Sequence, residues 1–123
     1  MATSYSPKII TDGLVLCLDA ADKKSYSGSG TTWTDRSGNN LNGTLVNGPT
    51  FDSANGGSID FDGTNDVVGP STFDYDDSGG SFTVCAWLNP DTFTSSNAYA
   101  AIINRTDNSN HIFSVYIETS SGS

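Results

Sequence analysis

Gly57-Ser58-Ile59-Asp60-Phe61-Asp62-Gly63-Thr64-Asn65-Asp66-Val67-Val68 is the stretch on which the fold reading turns. Ile59 and Phe61 alternate with Asp60 and Asp62, the period-two pattern of a strand with one buried face. Asp62-Gly63 is a turn dipeptide, because glycine accepts the positive φ of a tight turn. Asp66-Val67-Val68 restarts an extended run. The expected unit is a hairpin with Phe61 on its inner face and Asp60, Asp62 and Asp66 near its tip.

Short apolar runs of the same kind recur on both sides of this hairpin. Gly13-Leu14-Val15-Leu16-Cys17-Leu18-Asp19-Ala20 is apolar on both faces and predicts a strand covered on both sides. Thr31 to Asp35 is a short extended piece, and Thr44-Leu45-Val46 is a strand closed by Asn47-Gly48-Pro49. Ser81-Phe82-Thr83-Val84-Cys85-Ala86-Trp87-Leu88 predicts another strand, stopped by Asn89-Pro90. Tyr99 to Ile103 and Ile112 to Ile117 complete the set. Gly, Asn, Asp and Ser clusters separate the runs, and no window carries a helical period. The pattern predicts an all-β sandwich or jelly roll. Residues 1–12 read as an N-terminal arm, 13–118 as one sandwich and 119–123 as a flexible tail.

The chain has 123 residues, enough for one such core. Its net charge of −9 argues against nucleic-acid binding through a basic surface. No apolar run approaches the ~20 residues that span a bilayer, so no membrane insertion is expected. Met1 to Lys8 is polar and lacks the apolar core of a signal peptide. The expectation is synthesis in a cytoplasm, with any extracellular role reached by another route, such as release inside a virus particle.

Four segments in order resemble the laminin G-like, concanavalin A-like lectin/glucanase superfamily. They are Asp12 to Ala21; Trp33-Thr34-Asp35-Arg36-Ser37-Gly38-Asn39 with Asn42-Gly43-Thr44-Leu45; Ile59-Asp60-Phe61-Asp62-Gly63-Thr64-Asn65-Asp66; and Phe82-Thr83-Val84-Cys85-Ala86-Trp87-Leu88-Asn89-Pro90. Ser6 to Leu14 also resembles the start of such domains in virion proteins of tailed phages, marine ones in particular. The resemblance implies a concanavalin A-like (laminin G-like) jelly-roll β-sandwich. The family's later "WHHVA"-like and "YVNG"-like segments have no match after Ile117. The expected sandwich is therefore shortened, completed by a neighbouring subunit, or part of a longer product. The implied role is a non-enzymatic accessory protein at a virion surface, a capsid decoration or a fibre component. Its implied partners are capsid or fibre proteins, copies of itself in an oligomer or lattice, and a cell-surface glycan. The alternative is a free-standing carbohydrate-binding module.

Hydrolase chemistry finds little footing. Glycoside hydrolysis needs two carboxylates facing one cleft, and Glu118 is the only glutamate, so the glucanase pattern is missing. His111 is the only histidine and no G-x-S-x-G elbow is present. Glycan contacts would use aromatic side chains, with Trp33, Tyr26, Tyr75 and Tyr99 as candidates; the competing fate of Trp33 and Trp87 is the core. Cys17 and Cys85 are expected as two buried thiols, with a disulfide between adjacent strands as the alternative.

Calcium takes several oxygen ligands, and laminin G-like domains often bind it at a sandwich rim. Asp60, Asp62 and Asp66, with Asn65 and Asp35, can supply those oxygens. The dense spacing of a loop-type calcium site is missing, and turn-forming aspartates with no ion are the other reading. An ion that binds only the folded state raises its melting temperature by mass action. With calcium bound, thermal unfolding in millimolar calcium is expected at a higher temperature than in chelator. Superimposable curves would remove calcium from the account.

Overall fold

Gly43-Thr44-Leu45-Val46 shows why a strand forms where the sequence places one. Gly43 and Leu45 are buried while Thr44 and Val46 are exposed, the alternation of a strand with one covered face. In the computed structural model, which describes residues 9–70, 81–90, 99–107 and 110–118, this strand is the middle of a three-stranded antiparallel sheet. Its edges are β1 (Thr32–Trp33) and β5 (Val67–Pro70), with β2 (Gly43–Val46) between them. Leu45 stands opposite Val68, and Trp33 opposite Gly43.

The lack of a side chain at Gly43 is a packing requirement. A Cβ there would come 2.7 Å from Val68 Cγ1 and 3.2 Å from Leu18 Cδ1. The glycine thus lets the sheet close against Leu18. β3 (Thr50–Asp52) and β4 (Ser58–Asp60) form a separate antiparallel pair, with Phe51 opposite Ile59. Tyr26 joins the two sheets. It is 3 % exposed, and its ring meets Trp33 edge-on at 6.5 Å and Phe51 at 5.4 Å. Its hydroxyl donates to the Gly30 carbonyl at 2.7 Å, so the polar end of the ring is satisfied as well.

The chain divides into two compact units, Met1–Gly80 and Ser81–Ser123. This boundary falls inside residues 13–118, the span the sequence reading gives to one sandwich. The second unit holds β6 (Tyr99–Asp107) paired antiparallel with β7 (Asn110–Glu118), with register shifts between Ala101 and Ile103 and between Arg105 and Thr106. Among the described residues, all extended regular structure is antiparallel β, and the only helical element is a three-residue turn at Ala54–Gly56. Among the described residues, no helix is long and apolar enough to cross a membrane.

Four expectations are corrected. The hairpin expected across Ile59 to Val68 does not form, because β4 pairs with β3 and β5 with β2. The Asp62-Gly63 turn leads the chain from one sheet to the other. Phe61 lies just past β4 and is 44 % exposed, not on an inner face. Leu14 to Leu18 joins no sheet, and Val15 is 47 % exposed. Residues 81–90 form no strand and are all exposed, with Trp87 at 98 %. Alternating apolar residues equip a segment to bury one face, but a strand also needs a neighbouring ladder for its backbone groups.

Leu45 and Phe61 separate the observed core from the one expected of the hairpin. Leu45→Ala is expected to lower stability by about 2–4 kcal/mol, the usual cost of emptying a buried leucine site. Phe61→Ala is expected to cost under about 1 kcal/mol, as for an exposed site. Urea unfolding of the two variants checks both, and a reversed order would restore the hairpin register.

Candidate functional site

Asp35 is 6 % exposed and sits two residues past the end of β1. Its carboxylate collects donors from two segments, residue 17 and the loop 37–41. Oδ1 accepts from the Cys17 amide at 2.9 Å and the Ser37 amide at 2.8 Å. Oδ2 accepts from the Leu41 amide at 3.1 Å and the Ser37 hydroxyl at 2.6 Å. The Asp35 amide in turn donates to Asn42 Oδ1 at 3.0 Å. An aspartate followed two residues later by serine bends the chain back onto its own carboxylate, the local bonding that short polar side chains favour.

Neighbouring side chains extend this junction. Asn39 Nδ2 lies within reach of the Leu14 carbonyl at 3.1 Å and the Val15 carbonyl at 2.9 Å. The Arg36 amide donates to the Cys17 carbonyl at 2.8 Å. On the other side, Ser25 accepts from the Asp19 amide at 3.0 Å, and its hydroxyl donates to the Thr34 carbonyl at 2.6 Å. These bonds explain why Leu14 to Leu18 is no strand. Loop side chains and the Arg36 amide take up backbone groups that a strand would offer to a ladder. The Arg36–Asp22 ion pair at 3.1 Å is half-exposed and adds little.

Burial pushes the Asp35 carboxyl up, but the hydrogen bonds from Ser37, Cys17 and Leu41 outweigh it and hold the group below the usual aspartate value. Both oxygens are thereby committed within the protein, so Asp35 acts as a structural acceptor and not as a free oxygen for an ion. Burial raises the Cys17 thiol, and the nearby carboxylates of Asp19 and Asp35 raise it further. Cys17 and Cys85 are both free thiols. Cys17 is half-buried, whereas Cys85 is exposed, which corrects its expected burial; it follows from the exposure of residues 81–90.

The acidic turn is organised differently. Asp62 Oδ1 accepts from the Thr64 amide at 2.8 Å and the Asn65 amide at 3.3 Å, and the first of these chiefly holds its carboxyl below the usual value. Asp66 Oδ2 accepts from the Asp62 amide at 3.1 Å, while Asp66 Oδ1 is buried and takes no hydrogen bond. Asp60 is exposed at the end of β4. Among the described residues, no three His, Cys, Asp or Glu side chains gather to hold a metal.

Of the aromatic candidates, Trp33 is half-buried against Tyr26, and its indole Nε1 is buried with no hydrogen-bond partner. Tyr26 is core. Tyr99 opens β6, and Tyr75 lies outside the described residues. Trp87, expected in the core, is instead the most exposed large apolar side chain described. The sequence reading counts Asp35 only among candidate calcium oxygens. The Asp35-x-Ser37-x-Asn39 spacing is the signal that marks it as a loop organiser.

Comparison with protein-family models, curated proteins and solved structures finds no match.

Removing the Asp35 carboxylate orphans three amides from two segments at once. Asp35→Ala is expected to destabilise by about 2–4 kcal/mol in urea unfolding. The acid limb follows from the sign of the shift. A carboxyl held below its unfolded value of about 3.9 contributes stability that is complete well above that pH and is lost as pH falls through the folded value. Melting temperatures of the wild type should therefore fall below about pH 4, and Asp35→Asn should flatten that limb. An unchanged acid limb in Asp35→Asn would show that other carboxylates govern it.

Proposed function

We propose that this chain is a non-enzymatic assembly module of the laminin G-like, concanavalin A-like type, serving as a capsid decoration or fibre component on the surface of a tailed-phage particle. The observation that carries the reading is the exposed apolar stretch of residues 81–90. Phe82 is 51 % exposed, Leu88 53 % and Trp87 98 %, an arrangement suited to burial against another protein. The four family-like segments in order support the jelly-roll assignment, and so do the antiparallel sheets. In this reading, the exposed apolar side chains of residues 81–90 pack against a capsid or fibre subunit, or against a second copy about a symmetry axis. The net charge of −9 favours a partner with a basic patch and keeps the remaining surface soluble.

The large apolar and acidic surfaces suit adhesion better than turnover. Within the first unit, the committed oxygens of Asp35 make it a structural acceptor. A carbohydrate-binding role is the second reading, favoured by one feature, the exposed indole of Trp87, since a flat aromatic face can stack on a sugar ring.

The two readings part in one set of measurements. The chain is expected in stoichiometric amounts in purified phage particles, and as an oligomer or a mixed complex by light scattering. Trp87→Ala is expected to weaken incorporation roughly 30-fold, the effect of a central interface aromatic. Its own melting temperature should barely move, because the side chain is exposed. A monodisperse monomer absent from particles, whose glycan-array signals are competed away by free sugar, would replace the assembly role with the lectin role.

A further inference from the structure

Three asparagine–glycine pairs occur in the chain, Asn42-Gly43, Asn47-Gly48 and Asn55-Gly56, and the fold treats them differently. Asn42 is half-buried, its Oδ1 accepts from the Asp35 amide at 3.0 Å, and the following Gly43 is buried under Val68 and Leu18. Asn47 is exposed, but its Nδ2 donates to the Asn65 carbonyl at 2.6 Å, which ties the side chain to the acidic turn. Asn55 is exposed, and no described residue hydrogen-bonds its side chain. It also stands in the left-handed region at φ 53° and ψ 26°, followed by Gly56 at φ 98°.

We propose that Asn55-Gly56 is a site of spontaneous covalent modification, the one of the three pairs that the folded protein leaves open to deamidation through a succinimide. The Gly56 backbone nitrogen gives up its proton to base and attacks Asn55 Cγ. A Cγ–N bond forms, the Cγ–Nδ2 bond breaks, and Nδ2 leaves as ammonia. Water then opens the ring at either carbonyl, giving aspartate or isoaspartate. The net change is one water in and one ammonia out, with no redox step. A side chain without hydrogen bonds has nothing to break before it swings toward Gly56 N, and a following glycine puts no Cβ in the way. In Asn42 and Asn47 the reacting amide must first leave its partner.

The position gives the change a consequence. Asn55 lies in the connection between β3 and β4, so isoaspartate inserts a backbone methylene between two strands in fixed register. The same connection contains Gly57, where a Cβ would come 2.9 Å from the Ala20 carbonyl oxygen and 3.1 Å from the Phe51 ring. The turn has no slack on that side. Deamidation also adds a negative charge to a chain already at −9.

The test incubates the full chain at mildly alkaline pH, native and in parallel in urea, and follows all three pairs by peptide mass mapping. Deamidation reads as a gain of one mass unit, and fragmentation separates isoaspartate from aspartate. In urea the three pairs should react at similar rates, since each is an Asn-Gly. In the native protein Asn55 is expected to lead Asn47 by roughly fivefold or more, the ratio that one net hydrogen bond sustains, and to lead Asn42 by more. Aged native protein should melt at a lower temperature, and Asn55→Gln should age without that loss. Native rates at Asn47 or Asn42 equal to that at Asn55 would overturn the proposal. So would native protein unchanged at Asn55 over a period in which the urea sample has reacted.

Discussion

The Asp35 carboxylate is the constraint on which the first unit depends. Its two oxygens bind the Cys17 amide, the Ser37 amide and hydroxyl, and the Leu41 amide, so one side chain fixes the Leu14 to Leu18 segment, the 35–42 loop and the exit from β1. With those segments set, Leu18 reaches Gly43 and Trp33 meets Tyr26. Hydrogen bonds to a charged acceptor are the strong ones, and burial strengthens them further. The same low dielectric makes their loss expensive, which is why a surface-rich chain can rest so much on one carboxylate.

Around this junction the apolar core is small. Tyr26 and Leu45 are the only apolar side chains among the described residues that are buried, with Trp33, Phe51, Ile59 and Val68 half-buried around them. Polar bonding therefore takes a larger share of the organisation than in a thick sandwich. Ser25 illustrates this, joining Asp19 to Thr34 through a single hydroxyl. The acidic turn at Asp62 works by the same economy at the surface: its carboxylate folds the turn by capping the Thr64 amide. Asp19, Asp22, Asp35, Asp52, Asp62 and Asp66 each accept from a backbone amide, and the net charge of −9 sets the character of the surface.

The second unit presents the opposite balance. β6 and β7 pair with each other along nearly their whole length, while residues 81–90 lie exposed with their apolar side chains outward. A two-stranded ribbon is at best marginally stable alone in water. In the proposed assembly role, this exposed apolar stretch becomes a contact surface against a partner.

The sequence by itself determined the all-β character, the positions of β2, β6 and β7 and the turn at Asn47-Gly48. All of these rest on local properties: alternation, β-branched content and glycine or asparagine at positive φ. It could not determine which strand pairs with which. Ile59 and Val67 read as one hairpin because a turn dipeptide lies between them, yet β4 joins β3 and β5 joins β2, since pairing is settled by long-range ladders. Nor could it show that Leu14 to Leu18, the most apolar run, would be tied by side chains instead of strands. Asp60, Asp62 and Asp66 were legible as a turn cluster, but which oxygens remain free depends on the amides that the turn brings to them. Asp35 was legible as a residue and not as a junction, because its partners lie up to 18 residues away along the chain. Tertiary structure decided these points because a backbone amide carries no mark in the sequence of the acceptor that will find it.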